Sequence, residues 1–148
     1  MVKKKKVLFL CTRNSCRSQM AEGFLRALAG DRFEVFSAGM DPSEVHPLAI
    51  RVMKEVGVDI SNQRSKGAKE FLGRHVFAHI FTVCEAAHQR CPSVYPSFMN
   101  NLEFWPFEDP EAFQGTEEER IAKFRQVRDQ ILAKIRAWLA DMGSGLVS

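Results

Sequence analysis

Four cysteines are the residues of this sequence with the clearest capacity for covalent chemistry. They form two pairs along the chain, Cys11 with Cys16 and Cys84 with Cys91. Neither spacing matches the close Cys-x2-Cys knuckles of zinc sites, so we expect no bound metal. Burial as a small apolar side chain is the simplest alternative for any one cysteine. The residues around the cysteines therefore decide whether the thiols are expected to react.

The first pair lies in a segment suited to binding a tetrahedral oxyanion. Residues 11–18 read CTRNSCRS, which is a cysteine, five residues, an arginine and a serine. In a tight turn between a strand and a helix, successive backbone amides and the positive end of the helix attract an anion. Arg17 can bind two of its oxygens, and the same field favours Cys11 as a reactive thiolate, to which Ser18 is placed to donate a hydrogen bond. The predicted oxyanion-binding residues are Thr12, Arg13, Asn14, Ser15, Cys16 and Arg17.

Two more segments carry candidate catalytic groups. Cys84 ends a predicted strand, and Cys91 follows seven residues later, a spacing that suits a flexible segment able to join the two sulfurs. Asp109 is followed by a proline, which restricts it to extended backbone geometry and fixes where its carboxyl points. Asp109 is therefore a carboxyl with a fixed direction, whereas its neighbours Glu108 and Glu111 are expected to be solvated.

These segments must be positioned by alternating strands and helices. Short apolar runs rich in β-forming residues predict strands at 5–10, 33–38, 76–84 and 102–105. Apolar residues at helical spacing, caps and prolines predict helices over 20–28, 47–56 and 68–72 and from a capping box at Thr116 and Glu119 onward. This alternation predicts an α/β sandwich with a four-stranded parallel sheet covered on both faces. Ligands bind where such strands end, so the ends of the first and third strands are expected to face the site.

Composition indicates one ordinary globular domain. The chain has 148 residues, of which 45% are hydrophobic and 26% charged, with a net charge of +3. These values exclude a wholly disordered chain and a membrane-spanning apolar run, and we expect no nucleic-acid partner. We predict a single catalytic domain over 1–142 and a flexible tail over 143–148. The apolar stretch at 7–10 is too short for a signal peptide, which favours a cytoplasmic protein with reduced thiols.

The last helix carries a continuous apolar stripe between residues 121 and 139. One interpretation of this stripe is a helical dimer interface. The interpretation that we favour is packing against the protein's own sheet, because an amphipathic helix normally buries its apolar face in its own core. We therefore expect a monomer.

The motifs resemble those of one known family. The stretch VLFLCTRNSCRSQMAEG at residues 7–23 resembles the signature of the low-molecular-weight tyrosine phosphatase fold, and it is most similar to the thioredoxin-coupled arsenate reductases of that fold. Phosphatases of the fold typically carry a proline after the Arg-Ser, whereas residues 19–22 read QMAE here, as in the reductases. The resemblance continues through SAG at 37–39, HP at 46–47, VDIS at 58–61 and FEDP at 107–110.

The resemblance implies a three-layer fold and an arsenate reductase that confers arsenical resistance without a cofactor. In that family Cys11 would attack arsenic while Asp109 protonates the departing oxygen. Cys84 would then attack Cys11 and release arsenite, and Cys91 would move the disulfide to Cys84 and Cys91. Thioredoxin is the implied reductant, with glutaredoxin and glutathione as the alternative donor. The same loop implies a weak phosphatase side activity.

Two other functions stay open at this point. A tyrosine phosphatase or general phosphatase would use Cys11, Arg17 and Asp109 without the second pair of cysteines. The chain has one tyrosine, Tyr95, and reads EAF at 111–113, where phosphatases of the fold tend to carry tyrosines that shape an aromatic pocket. A small inorganic substrate therefore fits better. The other alternative is a non-enzymatic module that senses oxyanions or the redox state of thiols.

Two residues of the loop carry more specific expectations. The side chain of Cys16 is expected to alternate away from Cys11, and no step of the relay requires it. Arg13 stands where the family often has glycine, which costs about 1 kcal/mol if the backbone there needs a positive φ. Its extra charge would strengthen the attraction of oxyanions.

Lys66 stands where the resemblance places an acidic residue of a potassium site. The other residues of that site match Asn14, Glu22 and Ser37. Because an ammonium group would repel a metal cation and can itself neutralise Glu22, we predict that Lys66 takes the place of potassium. The alternative is that Lys66 points to solvent.

Overall fold

A parallel sheet forms the centre of the protein. The computed structural model describes residues 4–71, 74–94 and 102–147, apart from the side chains of 90–94 and 143–147. Within these residues the sheet has four parallel strands, which are β1 (Lys5–Cys11), β2 (Phe33–Gly39), β3 (His79–Thr82) and β4 (Leu102–Phe104). Their order is β2-β1-β3-β4, so β1 and β3 are the inner strands. The predicted α/β fold with a four-stranded parallel sheet is confirmed.

Both faces of the sheet are buried, because the side chains of β1 alternate between two apolar clusters. Val7 and Phe9 face a cluster built with the helices α1 (Arg17–Ala29), α2 (Pro47–Glu55) and α4 (Glu117–Val147). Leu8 and Leu10 face the other cluster, which includes the short 3-10 turn Ala68–Phe71 and Phe77. The inner strand β1 is consequently held from both sides, and so is the loop that follows it.

The third strand is shorter than the apolar run that predicted it. The run covers residues 76–84, but β3 pairs with β1 and β4 only within His79–Thr82. Val76 is 87% exposed, and Cys84 lies beyond the last paired residue. Apolar composition does not mark where strand pairing ends, which is why Cys84, which was predicted to end this strand, lies outside β3.

A helix stands where a flexible segment was predicted. Residues Glu85–Val94 form α3, which begins directly after Cys84. Glutamate and alanine at 85–87 favour helix, and Ala87 is completely buried against the core. The ring of His88 stacks on Phe104 with centroids 4.4 Å apart, and its Nδ1 lies 2.8 Å from Thr82 Oγ1. The segment that was predicted to be flexible therefore begins with a helical turn that packs on the sheet.

The start of α4 confirms the predicted capping box. The backbone amide of Thr116 donates to Glu119 Oε1 at 3.0 Å, and the amide of Glu119 donates to Thr116 Oγ1 at 3.2 Å. The apolar stripe of α4 packs into the core, with Phe124, Ile131 and Ile135 completely buried. The helix continues to Val147, while Ser148 and the side chains of 143–147 lie outside the described residues. The domain boundary at residue 142 stays a prediction.

No helix among the described residues is long and apolar enough to cross a membrane.

Candidate active site

The loop between β1 and α1 points its amides inward because its carbonyl groups are bonded outward. The segment at 40–46 donates backbone hydrogen bonds to this loop, with Met40, Asp41, Ser43 and His46 bonded to the carbonyls of Cys11, Thr12, Arg13 and Ser15 respectively. Helix α1 has no side-chain N-cap and no acidic residue in its first turn. The first amides of α1 are therefore available to an anion.

Asn14 rather than Arg13 adopts the unusual backbone conformation. Among the described residues other than glycine, Asn14 alone has a positive φ, at 52°. Asparagine tolerates this region, and the completely buried side chain donates to Ser18 Oγ at 2.8 Å and to Ser37 Oγ at 2.9 Å. The condition under which Arg13 would strain the loop is therefore not met.

Gly39 lets the loop lie directly against the end of β2. A Cβ atom at this position would stand 2.8 Å from the Asn14 nitrogen and 2.8 Å from the Thr12 oxygen, both of which are backbone atoms. Such contacts are too close for any other residue type without a shift of the backbone. The SAG motif at 37–39 is consequently a packing requirement of the anion loop.

The loop and the Asp109 segment together enclose a cavity of about 340 Å³. It is lined by Cys11, Thr12, Arg13, Ser15, Cys16, Arg17, Asp109, Glu111 and Ala112. The structure therefore brings the predicted nucleophile, the predicted arginine and the predicted acid to one place, as expected. Asn14 and Ser18, which were also assigned to the site, lie behind the loop and brace it.

Arg17 connects the loop to the acid segment. Its Nη1 donates to the Phe107 carbonyl at 3.1 Å, and its Nη2 lies 3.8 Å from Asp109 Oδ2. The Nε of Arg17 is buried and has no hydrogen-bond partner among the described residues. A buried, unpartnered guanidinium nitrogen beside the cavity can donate to an oxyanion, as predicted for this arginine.

Asp109 is held in the extended geometry that its proline predicts, with φ −79° and ψ 108°. Its Oδ1 accepts a hydrogen bond from the Glu111 amide at 2.9 Å, which caps the 3-10 turn Pro110–Ala112. Oδ2 is left to face Arg17 and the cavity. This carboxyl is thus oriented by local structure for proton transfer to a bound ligand.

The Cys84 and Cys11 thiols form one interacting pair at the ends of neighbouring strands. The hydrogen bond from Cys11, with help from the Thr12 hydroxyl, the Ala87 amide and Arg17, lowers the pKa of Cys84 to about 5. Thr12 Oγ1 lies 3.2 Å from Cys84 Sγ. The same contact with Cys84, together with burial, raises the pKa of Cys11 well above its ordinary value. The contact that lowers the pKa of Cys84 thus raises that of Cys11, whereas the anion loop was predicted to lower the pKa of Cys11.

Two further predictions about the loop are corrected. The Ser18 hydroxyl accepts from Asn14, and no hydrogen bond to Cys11 forms among the described residues. Cys16 was expected to point away from Cys11, but it lines the same cavity and is only 2% exposed. Burial, with a contribution from Glu111, raises the pKa of Cys16.

Glu111 was expected in solvent, but its side chain is only 19% exposed and lines the cavity. Its Oε2 lies 4.0 Å from Arg13 Nη1. One signal in the sequence could have located Glu111 in the site. It directly follows the Asp-Pro pair, so the turn that Asp109 caps also fixes the position of Glu111. Thr12 was predicted to bind the oxyanion. Its hydroxyl also contacts the sulfur of Cys84, and this contact arises because the third strand places Cys84 beside the loop.

The third thiol of the predicted relay, that of Cys91, lies outside the described side chains. The backbone of Cys91 belongs to α3, which also follows Cys84. Among the described residues, no group of three or more histidine, cysteine or acidic side chains is arranged to hold a metal ion.

Lys66 lies among the oxygens that the resemblance assigned to a potassium ion. Its Nζ is 3.4 Å from Glu22 Oε1, 3.4 Å from Ser37 Oγ and 2.6 Å from the Arg64 carbonyl. The side chains of Lys66 and Glu22 are 12% and 5% exposed. Burial lowers the pKa of Lys66, and the charge of Glu22 opposes that shift. The alternative in which Lys66 points to solvent is therefore wrong.

Comparison with known proteins agrees with this fold. A family model described as low molecular weight phosphotyrosine protein phosphatase matches residues 6–146, so the chain belongs to that family. An arsenate reductase of Oceanobacillus iheyensis is 43% identical over 136 residues, which cover 91% of this chain and 95% of that protein. An arsenate reductase of Bacillus subtilis is 44% identical over 128 residues, which cover 84% and 88%. A solved arsenate reductase in the phosphate binding state has a TM-score of 0.76 at 35% identity, covering 93% of this chain and 98% of that one. The family resemblance seen in the motifs is thus confirmed.

Proposed function

We propose that this chain is an arsenate reductase in which Cys11, Cys84 and Cys91 act in turn. The proposal rests on the cavity, which brings together the anion loop, Arg17 and Asp109. A second thiol, that of Cys84, lies against Cys11. Relatives named arsenate reductase, at 43% and 44% identity over most of the chain, support the substrate. Arsenate has the tetrahedral shape and the negative charge that such a loop binds.

In the first step, Cys11 Sγ forms a bond to arsenic while one arsenic–oxygen bond breaks. The proton on Cys11 passes to the Cys84 thiolate with which it is hydrogen-bonded. Asp109 donates a proton to the departing oxygen, which leaves as water. The backbone amides of residues 12–17 and Arg17 hold the remaining oxygens.

In the second step, Cys84 loses its proton to solvent and attacks Cys11 Sγ. A bond forms between the two sulfurs, and the electron pair of the sulfur–arsenic bond stays with arsenic. Arsenic is thereby reduced from As(V) to As(III) and leaves as arsenite, while the two thiols are oxidised to a disulfide. Cys11 has no proton left to donate at this stage, but the Thr12 hydroxyl, the Ala87 amide and Arg17 still lower the pKa of Cys84 and favour its thiolate for this attack.

In the third step, Cys91 attacks Cys84 and frees Cys11. Seven residues of α-helix span about 10 Å, whereas disulfides need Cα atoms within about 7 Å. Helix α3 must therefore open between Cys84 and Cys91 before this disulfide can form. An external dithiol then reduces it, and we propose thioredoxin, or glutaredoxin with glutathione, in a cytoplasmic setting where the protein acts as a monomer.

A coupled assay tests the proposal. Arsenate, thioredoxin, its reductase and reduced nicotinamide are supplied together, and nicotinamide oxidation is followed. We expect oxidation that requires arsenate and is abolished in Cys11→Ser, Cys84→Ser and Cys91→Ser. No arsenate-dependent oxidation with either reductant, alongside efficient hydrolysis of an aryl phosphate, would show a phosphatase instead. Weak hydrolysis of the aryl phosphate is expected in either case, because the first step is shared.

A further inference from the structure

Glu111 places a carboxylate in the wall of a cavity that binds an anion. It lines the cavity together with Cys11 and Arg17, and its side chain is only 19% exposed. The turn that carries Glu111 is fixed, because its amide is hydrogen-bonded to Asp109 Oδ1 at 2.9 Å. A negative charge at this position opposes anion binding unless the anion can donate a hydrogen bond to the carboxylate.

The neighbours of Glu111 do not remove its charge from the cavity. Arg13 Nη1 is 4.0 Å from Oε2, which is longer than a hydrogen bond, and the Arg13 side chain is 67% exposed. The buried Cys16 thiol also lines this wall and is hydrogen-bonded to Glu111, so it occupies one acceptor position of the carboxylate. A carboxylate has about four acceptor positions on its two oxygens, so it retains capacity for another donor.

An ionised carboxylate accepts hydrogen bonds and cannot donate them. Arsenate and phosphate keep a hydroxyl at neutral pH and can donate from it, whereas sulfate has lost both protons and presents only lone pairs. A buried acceptor therefore rejects the anion that lacks the hydroxyl, because the two like charges face each other without a proton between them.

We propose that Glu111 is a specificity-determining residue that accepts a hydrogen bond from the hydroxyl of the bound oxyanion. The site thereby selects protonated tetrahedral anions, arsenate and phosphate, over sulfate. Arg17 and the loop amides hold the deprotonated oxygens, and Asp109 faces the departing one. This inference rests on the anion-binding role of the loop in the proposed function, and it adds the protonation state that the site requires.

The test compares phosphate and sulfate binding to the reduced protein by titration calorimetry at constant ionic strength. In Glu111→Gln we expect sulfate to bind at least about tenfold tighter relative to phosphate than in the unmodified protein, since an amide can donate to a sulfate oxygen. The matched control is Glu108→Gln, which removes the same charge from the same segment. Glu108 lies outside the cavity lining and pairs with Lys123 at 2.8 Å. The ratio of phosphate affinity to sulfate affinity in Glu108→Gln should equal that of the unmodified protein.

Two results would overturn the inference. Equal tightening of both anions in Glu111→Gln would show a general charge effect, and an unchanged ratio would show that Glu111 does not face the ligand. Neither result needs turnover, so each is distinguishable from failure of the proposed function. If the proposed function fails and this inference holds, arsenate-dependent oxidation of nicotinamide is absent while the phosphate-to-sulfate affinity ratio still shifts in Glu111→Gln.

Discussion

Cys11 and Cys84 share a proton in their hydrogen bond, and at the scale of single residues this contact moves the pKa values of the two thiols in opposite directions. Burial alone would leave both thiols protonated. Contact with Cys11, the Thr12 hydroxyl and Arg17 lower the pKa of Cys84, and the resulting charge raises the pKa of Cys11. The contact therefore favours the thiolate form of Cys84 over that of Cys11.

Removing Cys84 should lower the pKa of Cys11. In Cys84→Ser the neighbouring thiolate is lost while Arg17 and the loop amides remain, so the Cys11 thiolate is favoured. We expect the pH profile of Cys11 alkylation by iodoacetamide, mapped by mass spectrometry, to move to lower pH. Cys16→Ser is the control, because Cys16 is not among the groups that shift Cys11. A profile that stays in place or moves to higher pH contradicts the shared proton.

Lys66 should make the protein indifferent to potassium. Its ammonium lies 3.4 Å from Glu22 Oε1 and from Ser37 Oγ, so a metal cation in that position would meet a like charge. We expect the thermal midpoint to be unchanged when sodium is replaced by potassium at constant ionic strength. Lys66→Asp should gain a potassium-dependent rise, whereas Lys69→Asp, on the exposed side of the neighbouring turn, should not. A potassium-specific rise in the unmodified protein would show that Lys66 does not occupy the site.

At the scale of elements, the anion loop depends on its contact with the end of β2. Gly39→Ala should shift the backbone of the loop and cost about 1–3 kcal/mol of unfolding free energy, with weaker phosphate binding. Gly67, which bridges to Gly39, is the matched control, since a Cβ there meets only the Pro42 side chain at 3.5 Å or more. Urea denaturation and phosphate titration measure the two effects. Equal losses in Gly39→Ala and Gly67→Ala would argue against the close approach.

Helix α3 is the element that must change shape during the proposed relay, and His88 opposes that change. Its contacts with Thr82 and Phe104 fasten the first turn of α3 to the sheet. We expect His88→Ala to speed formation of the Cys84–Cys91 disulfide by about tenfold, as the hydrogen bond and the ring contact are lost. The rate is measured with oxidised glutathione in a Cys11→Ser background.

The control for this prediction is Gln89→Ala in the same background. Gln89 is exposed and its side chain contacts Glu85 within the helix at 3.1 Å, so its loss leaves the sheet contacts in place. A rate increase in both variants would point to general loss of helix stability. No increase in His88→Ala would mean that opening of α3 does not limit the disulfide.

At the scale of the whole molecule, the proposed relay joins two strand ends and one helix in a fixed order. In Cys91→Ser the third step is blocked, so one round should release arsenite and stop with Cys11 joined to Cys84. Mass mapping after a single addition of arsenate detects this species. Cys16→Ala should retain most turnover, because Cys16 is expected to bind the oxyanion through its backbone amide rather than through its thiol. Absence of the Cys11–Cys84 species would contradict the order of transfers.

What the sequence determined by itself is local. The spacing of Cys11 and Arg17, the extended geometry of Asp109 before its proline and the capping box of α4 each involve residues a few positions apart. Backbone dihedrals, caps and the order of strands and helices depend on such neighbours, and the predicted order of elements matches the structure apart from the additional helix α3. The motifs also carried the family resemblance, which the comparisons confirm.

The tertiary structure alone decided how Cys11 and Cys84 shift each other's pKa and that Glu111 faces the anion cavity. It also chose between the two alternatives for Lys66 by placing its ammonium against Glu22. Each of these properties depends on the distance between groups far apart along the chain and on how far water is excluded from them. Electrostatic interactions strengthen steeply as distance and local dielectric fall, so packing sets them and spacing along the sequence does not.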